Sequence, residues 1–375
     1  MSNGDSIVVI LGPSLEAVSG ISTHIAQLLS SDAAKTHRFS HFQVGSEGRR
    51  ESVLRRILRI AADPMRLAGV LLRNRRCIVH INTSMEQKSF WRDLAFLWVS
   101  KLLRHKVVYQ VHGGYLPQEF FHGRILRWLW RLVLHCPDVV VLLTRHECDA
   151  YLQVVPRLKV VCIPNGIDTS ALATQTVPRE ARKSTDPLRL LYMGRLIKDK
   201  GIFEIVEAVR LLKLSGSNVT LRMAGVGPDQ QQLCNAITSA ELNDRIVMLG
   251  PVHGDDKAKT WCSADVFLLP TYYREGLPYA VLESLASGCV PIVSPVGGIP
   301  DVINNLEHGV FVKAKNPHKL AEAIGGLDKD RAALQRMAAA GIRRVTTAYS
   351  VDRFASAFTQ LYVELYQREQ TNIRG

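Results

Sequence analysis

Two glutamates, Glu275 and Glu283, close the segment Glu275-Gly276-Leu277-Pro278-Tyr279-Ala280-Val281-Leu282-Glu283. Pro278 suits the first turn of a helix, so a helix is predicted to start at about Leu277, with Glu275 in the loop before it and Glu283 in its second turn. The free N–H groups and dipole of such a helix start suit a phosphate or sugar oxygen. Carboxylates on either side can accept hydrogen bonds from vicinal hydroxyls, as on a sugar and a ribose. Spacing alone leaves a plainer reading open, in which Glu275 is a turn residue and Glu283 a solvated helix residue. Upstream, Met193-Gly194-Arg195-Leu196 is followed closely by Lys198-Asp199-Lys200-Gly201. An Arg fork and a Lys point charge at a strand-to-helix crossing can clamp a diphosphate. Gly225-Val226-Gly227-Pro228 would let the chain turn closely past a nucleobase or ribose, though a simple strand-to-helix turn explains it as well. Gln230 stands where a GxGxxG run would need its last glycine, so a dinucleotide fingerprint is not supported.

The elements that must carry these groups recur regularly. Short β-branched runs occupy 6–11, 39–44, 77–82, 106–111, 138–143 and 159–163, then 188–193, 218–224, 245–249, 265–270, 290–294 and 309–312. Several are nearly continuous in apolar character, as parallel strands covered on both faces should be. Helix-period segments separate them, which predicts a doubly wound α/β fold. The Arg195–Lys200 cluster and the glutamate pair then both fall at carboxyl ends of strands, where open α/β sheets bind ligands. Residues 169–187 are polar, aperiodic and contain two prolines, and read as a linker between domains at 1–170 and 188–349. A long aromatic-rich helical pattern over 350–369 closes the chain and is expected to pack back on the first domain.

At 375 residues, two domains are the natural division. Hydrophobic residues at 47% and charged residues at 22% exclude disordered, collagen-like and disulfide-stapled classes. No apolar run long enough for a membrane span escapes a charge or a helix breaker. Asp5, with no Lys or Arg before the first apolar run, speaks against a secretory signal. The seven cysteines (Cys77, Cys136, Cys148, Cys162, Cys234, Cys262, Cys289) are scattered and never form CxxC. They read as reduced thiols of a cytoplasmic protein, with no metal site implied. Asp328-Lys329-Asp330 is better read as a helix cap than as a metal-binding DxD. The net charge of +13 is concentrated early, with nine arginines between Arg49 and Arg76 against Glu51 and Asp63. A second basic, aromatic stretch covers 120–135, with Arg124, Arg127 and Arg131 among Trp128, Leu129, Trp130 and Leu132. Both suit an anionic membrane surface, and both also read as ordinary domain helices with a solvated face. No nucleic-acid partner is expected, because no reading motif or stacking platform accompanies the charge.

The ordered set of motifs resembles the family 4 glycosyltransferases with the GT-B fold, retaining enzymes of the E-x7-E type, over essentially the whole chain. The matching pieces are Val111-His112-Gly113-Gly114, Ile163-Pro164-Asn165-Gly166-Ile167-Asp168, Gly194-Arg195-Leu196, Lys200-Gly201, Gly225-Val226-Gly227-Pro228, the Glu275/Glu283 pair, 286–291 and Gly297-Gly298. The resemblance implies two Rossmann-like domains facing a cleft. It implies a metal-independent, cofactor-free transfer of a sugar, with retention, from a UDP- or GDP-sugar to a glycan or polyprenyl-diphosphate-linked acceptor in bacterial-type surface polysaccharide assembly. In that scheme Arg195 and Lys200 clamp the donor diphosphate and Glu283 holds the ribose. Glu275, with the N–H groups of Gly276 and Leu277, meets the donor sugar, as does His112. Gly20 approaches the diphosphate from a glycine loop where Ser19 replaces the usual first glycine. Gly225, Gly227 and Asn165 join the substrate-binding positions. With the cysteines pointing to the cytoplasm, the lipid-linked acceptors of many family members and the basic helices add a peripheral position on the inner face of the plasma membrane as an extension. A nucleotide-sugar 2-epimerase shares the architecture, and a catalytically silent nucleotide-sugar-binding subunit is the other rival. The Asn-Gly-Ile-Asp run with the glutamate pair argues against the first, and the full set of charged donor residues against the second.

Overall fold

The β-branched runs condense into strands within one or two residues of their expected ends, except β3 and β4, which run three residues further. The residues described in this computed structural model are 7–17, 19–46, 49, 51–74, 76–120, 123–173 and 186–374, with the backbone alone at 124, 171, 173 and 368–374. The chain divides into two units, one running to Gly166 and resuming at Val351, the other spanning Ile167–Ser350.

In the first unit, β1 (Ile7–Gly12), β2 (Arg38–Gln43), β3 (Cys77–Met85), β4 (Lys106–Gly114), β5 (Val139–Leu142) and β6 (Val160–Cys162) pair in parallel in the order β2-β1-β3-β4-β5-β6. Because side chains alternate along a strand, Val9, Leu11, Val79 and Val107 enter one core and Val8, Ile10, Ile78 and Val108 the other. Phe354, Phe358, Leu361, Tyr362 and Leu365, from the final helix Val351–Arg374, fill the second of these cores. The aromatic spacing of that helix is what covers this face of the sheet.

In the second unit, β7 (Leu188–Met193), β8 (Val219–Ala224), β9 (Ile246–Gly250), β10 (Val266–Leu269), β11 (Val290–Val293) and β12 (Val310–Phe311) form a parallel sheet in the order β12-β11-β10-β7-β8-β9. Chain direction across the sheet reverses between β7 and β10. A crevice opens at such a switch point, outside the carboxyl ends of the two strands. Arg195 follows β7 and Glu275 follows β10, so the order of strands alone brings their loops together.

Three local expectations change. The helix after β10 is Tyr279–Ala286, two residues later than predicted, because Pro278 takes an extended ψ of 126° and serves as its N-cap. Gly20 does not sit in a turn: it is the first residue of the helix Gly20–Ser30, and Ser19 is the N-cap, its hydroxyl accepting from Ser22 N. Of the segment 169–187, residues 170–173 form a short helix and 174–185 lie outside the described residues. Asp330 caps the helix Arg331–Ala348, its carboxylate accepting from Ala333 N at 2.8 Å. That is the capping role read from the sequence.

Candidate functional site

The loop after β10 is docked on the loop after β7. Tyr272 N and Tyr273 N both donate to the Asp199 carbonyl, at 2.9 and 3.0 Å. Lys200 ends the 3-10 turn Lys198–Lys200, and Gly201 then takes φ +78° to start the helix Ile202–Leu214. This turn delivers the Lys200 ammonium to Glu275 Oε1 at 2.5 Å, with the Thr271 hydroxyl 3.2 Å from the same oxygen. The Arg195 guanidinium and the Lys200 ammonium lie 5.5 and 5.2 Å from the centre of the Tyr273 ring, so one aromatic ring steadies both cations. Tyr192, buried in β7, donates to the Arg195 carbonyl at 2.7 Å. Its phenol is pushed up by burial and by the nearby Glu275 charge. Arg195, Lys200 and Glu275 thus converge at the switch point.

Glu275 is also held from behind. Gly298 N donates to Gly276 O at 2.8 Å, and Gly297, at φ +56°, passes so close that a Cβ there would fall 1.8 Å from Glu275 O. The Gly297-Gly298 pair therefore sets the backbone of the acidic loop. Leu277 turns its side chain into the core. Gly225 and Gly227 receive an internal reason for being glycine: a Cβ at each would meet Gly194 O at 1.9 Å and Leu196 O at 2.1 Å. Their small size lets the loops after β7 and β8 touch.

Glu283, 9% exposed, lies in the helix that follows Glu275. Its Oε1 is 2.5 Å from Lys257 Nζ, and its Oε2 accepts from Trp261 Nε1 at 3.0 Å. Both partners belong to the helix Gly254–Ser263. Sequence reasoning missed Lys257, Trp261, Thr271 and Tyr273. Lys257 and Trp261 sit one helical turn apart, a pattern that any amphipathic helix shares.

The remaining predicted residues belong to the first unit. His112, at the end of β4, places Nε2 2.9 Å from Asn82 Oδ1. The His24 ring meets it edge-on with centroids 4.6 Å apart, and His24 Nδ1 lies 3.2 Å from Asn165 Oδ1. Asn165 is 2% exposed, and its amide oxygen holds the buried His24. Burial lowers His24 to about 4 and His80 to about 3, and lowers His112 well below the ordinary histidine value, reinforced by His24 and His80. Gly20 opens the helix that carries His24.

Within the basic region, Arg59 is taken up by Glu51 and Asp63, and Arg66 also pairs with Asp63. Arg50, Arg75, Phe121 and His122 lie outside the described residues. The helix Val53–Arg73 buries only Asp63, Leu67 and Leu71. The second stretch yields the helix Arg124–His135, where Trp130 and Leu134 enter the core while Ile125, Trp128, Leu129 and Leu132 stay exposed. Among the described residues no helix is long and apolar enough to cross a membrane.

Comparison with known proteins agrees with this architecture. The chain is 32% identical over 187 residues to a putative colanic acid biosynthesis glycosyltransferase, WcaL, of Escherichia coli K12, covering 48% of this chain and 45% of that protein. The chain spans about half the length of the curated relatives it matches. Among solved structures, sucrose-phosphate synthase from Thermosynechococcus elongatus superposes with a TM-score of 0.77 at 19% identity, over 97% of this chain and 100% of that one. Anabaena HepE in complex with UDP-glucose superposes with a TM-score of 0.75 at 16% identity, over 96% and 99%. These likenesses show the GT-B fold. The family descriptions Glycosyltransferase Family 4 and Glycosyl transferases group 1 match residues 18–171 and 174–344 respectively. Both halves carry the family's signature, and the chain belongs to the family 4-type glycosyltransferases.

Proposed function

We propose that this protein is a retaining, metal-independent glycosyltransferase that moves a sugar from a nucleotide-diphosphate-sugar to a glycan or lipid-linked acceptor in bacterial-type polysaccharide assembly. The observation that carries the reading is the convergence of Arg195, Lys200 and Glu275 at the β7/β10 switch point. Two fixed cations there neutralise the charge that builds on a departing nucleoside diphosphate, the service a bound metal would otherwise give. Glu275 and Glu283 supply acceptors for the hydroxyls of the sugar and of the ribose. Glu275 already engages Lys200 and Thr271, an arrangement suited to ordering hydroxyls, and the reaction we favour is front-face attack in which the leaving phosphate helps to deprotonate the acceptor. HepE binds UDP-glucose, and WcaL is named for colanic acid synthesis, which supports a uridine donor and a polysaccharide product. We place the enzyme in the cytoplasm, peripheral to an anionic membrane through the exposed basic helices of the first unit.

The test is a panel of UDP- and GDP-sugars read by thermal shift, since a ligand at about 100 times its Kd stabilises by about 2.7 kcal/mol. The donor that stabilises is then incubated with acceptors and the anomer of the product read by NMR. An α-linked product from an α-donor is expected. An inverted product, or a glycosyl adduct trapped on Glu275, sinks the mechanism. An epimerised donor formed without acceptor would establish the 2-epimerase instead, and donor binding with no turnover a silent subunit.

A further inference from the structure

We propose that Asn82 is a positioning residue that holds His112 as the neutral tautomer protonated on Nε2, so that Nδ1 is left as an acceptor for a hydroxyl of the sugar substrate. The inference rests on His112 being a sugar contact and deepens that reading by specifying what the histidine can recognise.

The argument starts at the main chain of β1. The Leu11 carbonyl can only accept, so Asn82 turns its amide nitrogen to it, at 3.1 Å. The orientation of the Asn82 side chain is thereby fixed, and its Oδ1 faces His112 Nε2 at 2.9 Å. An amide oxygen also can only accept. Nε2 must therefore carry the hydrogen, and a neutral imidazole with a proton there has its lone pair on Nδ1. Asn82 is 1% exposed, so water does not compete for either bond. The edge-on His24 ring holds the His112 ring from a second direction.

The groups around this pair keep it uncharged. His80 sits between the Tyr362 hydroxyl, 2.7 Å from Nδ1, and Gln110 Oε1, 2.9 Å from Nε2. His24 is bonded to Asn165. These neighbours are neutral amides, a phenol and two histidines, and none supplies the negative charge that would stabilise an imidazolium. A carboxylate in place of Asn82 would. The chemistry at Nδ1 is consequently one-sided: it accepts from a hydroxyl and gains nothing from a hydrogen, an ether or an ester at the same position. A site that hydrogen-bonds a hydroxyl discriminates strongly against an analogue lacking it.

The test uses the full-length chain labelled with ¹⁵N-histidine, with ring tautomers read by long-range ¹⁵N–¹H correlation and His112 assigned from its absence in His112→Gln. The tautomer itself is read in the wild type, which is expected to show His112 as the Nε2–H form at neutral pH. Asn82→Ala is expected to mix the two tautomers, and Asn82→Asp to make His112 protonate at higher pH than in the wild type. An Nδ1–H form in the wild type, or a tautomer unchanged in Asn82→Ala, overturns the proposal. In the kinetic arm, one deoxy analogue of the donor is expected to lose at least about tenfold in kcat/KM with the wild type, and much less with Asn82→Ala. Indifference of the wild type to every deoxy position overturns the acceptor role. Failure to turn over any nucleotide-sugar would instead sink the glycosyltransferase reading, and the spectrum would still decide the tautomer.

Discussion

Lys200 and Glu275 face each other with side chains 16% and 8% exposed, so neither charge is well served by water. Removing one partner strands the other, which costs about 3–5 kcal/mol for a buried pair. Lys200→Met should therefore lower the melting temperature clearly, and should also cut kcat by about 10²–10³-fold if the ammonium stabilises developing charge. The double variant Lys200→Met/Glu275→Gln separates the two effects: thermal melts should recover most of the lost stability while initial rates stay low. Recovery of turnover together with stability would mean that the pair only braces the fold. These residues were legible in the sequence because charge at the end of an apolar strand has few structural reasons to be there. Trp261 was not, since a tryptophan that packs and one that also donates to Glu283 look alike until the neighbouring helix is placed. Asn82 was hidden for the same reason, its partners being Leu11 and His112 on the two strands beside β3.

The acidic loop owes its position to the elements around it. Gly297 combines a left-handed backbone with contact on Glu275 O, so Gly297→Ala meets both a φ penalty and a clash with main chain that cannot rotate away. A destabilisation of about 1–3 kcal/mol is expected from the backbone strain alone. Because the displaced atoms belong to Glu275, kcat should fall further than stability accounts for. The check is kcat measured well below the variant's melting temperature, and wild-type turnover there would show that the loop tolerates the shift. Strand positions were legible to within a residue or two for ten of the twelve strands, because β-branched runs buried on both faces have no competing interpretation. Helix starts were less so. Pro278 is equally at home as N-cap or as first helical residue, and only its ψ of 126° distinguishes them. Gly225 and Gly227 show the same limit from the other side, since a Gly-x-Gly run signals close approach without naming what approaches, and Gly194 O and Leu196 O, from the loop after β7, are atoms that do.

At the scale of the whole molecule, the first unit buries histidines and exposes helices that carry arginines beside large apolar side chains. His24 and His80 are buried there with values of about 4 and 3, below the ordinary 6.5. The unfolded chain therefore binds more protons than the folded one below that value. The stability this contributes is fully present above about pH 6.5 and declines by up to about 1.4 kcal/mol per pH unit for each group as pH falls towards 4. Hydrogen exchange at pH 5 should show β1, β3 and β4 losing protection relative to pH 7.5 by more than β7 and β10 do, and equal losses would contradict it. The same unit presents helices whose apolar residues face outward beside arginines. Val53, Leu54, Ile57 and Leu58 are each more than half exposed next to Arg55 and Arg56, and Ile125 and Trp128 likewise flank Arg127. A solvated helix face would carry the charges without the large apolar side chains, whereas a helix lying in a lipid interface needs both. Each basic residue near an anionic bilayer contributes about 1 kcal/mol, an attraction that salt screens. Sedimentation with vesicles rich in phosphatidylglycerol should therefore recover the protein at low salt and lose it progressively as salt rises, with little binding to phosphatidylcholine alone. Ile57→Glu combined with Trp128→Glu should weaken vesicle binding by at least about tenfold while leaving the melting temperature within a few degrees, because exposed positions contribute little to folding. Undiminished binding by that variant would move the contact to another surface, and equal recovery on neutral vesicles would remove the electrostatic part of the argument.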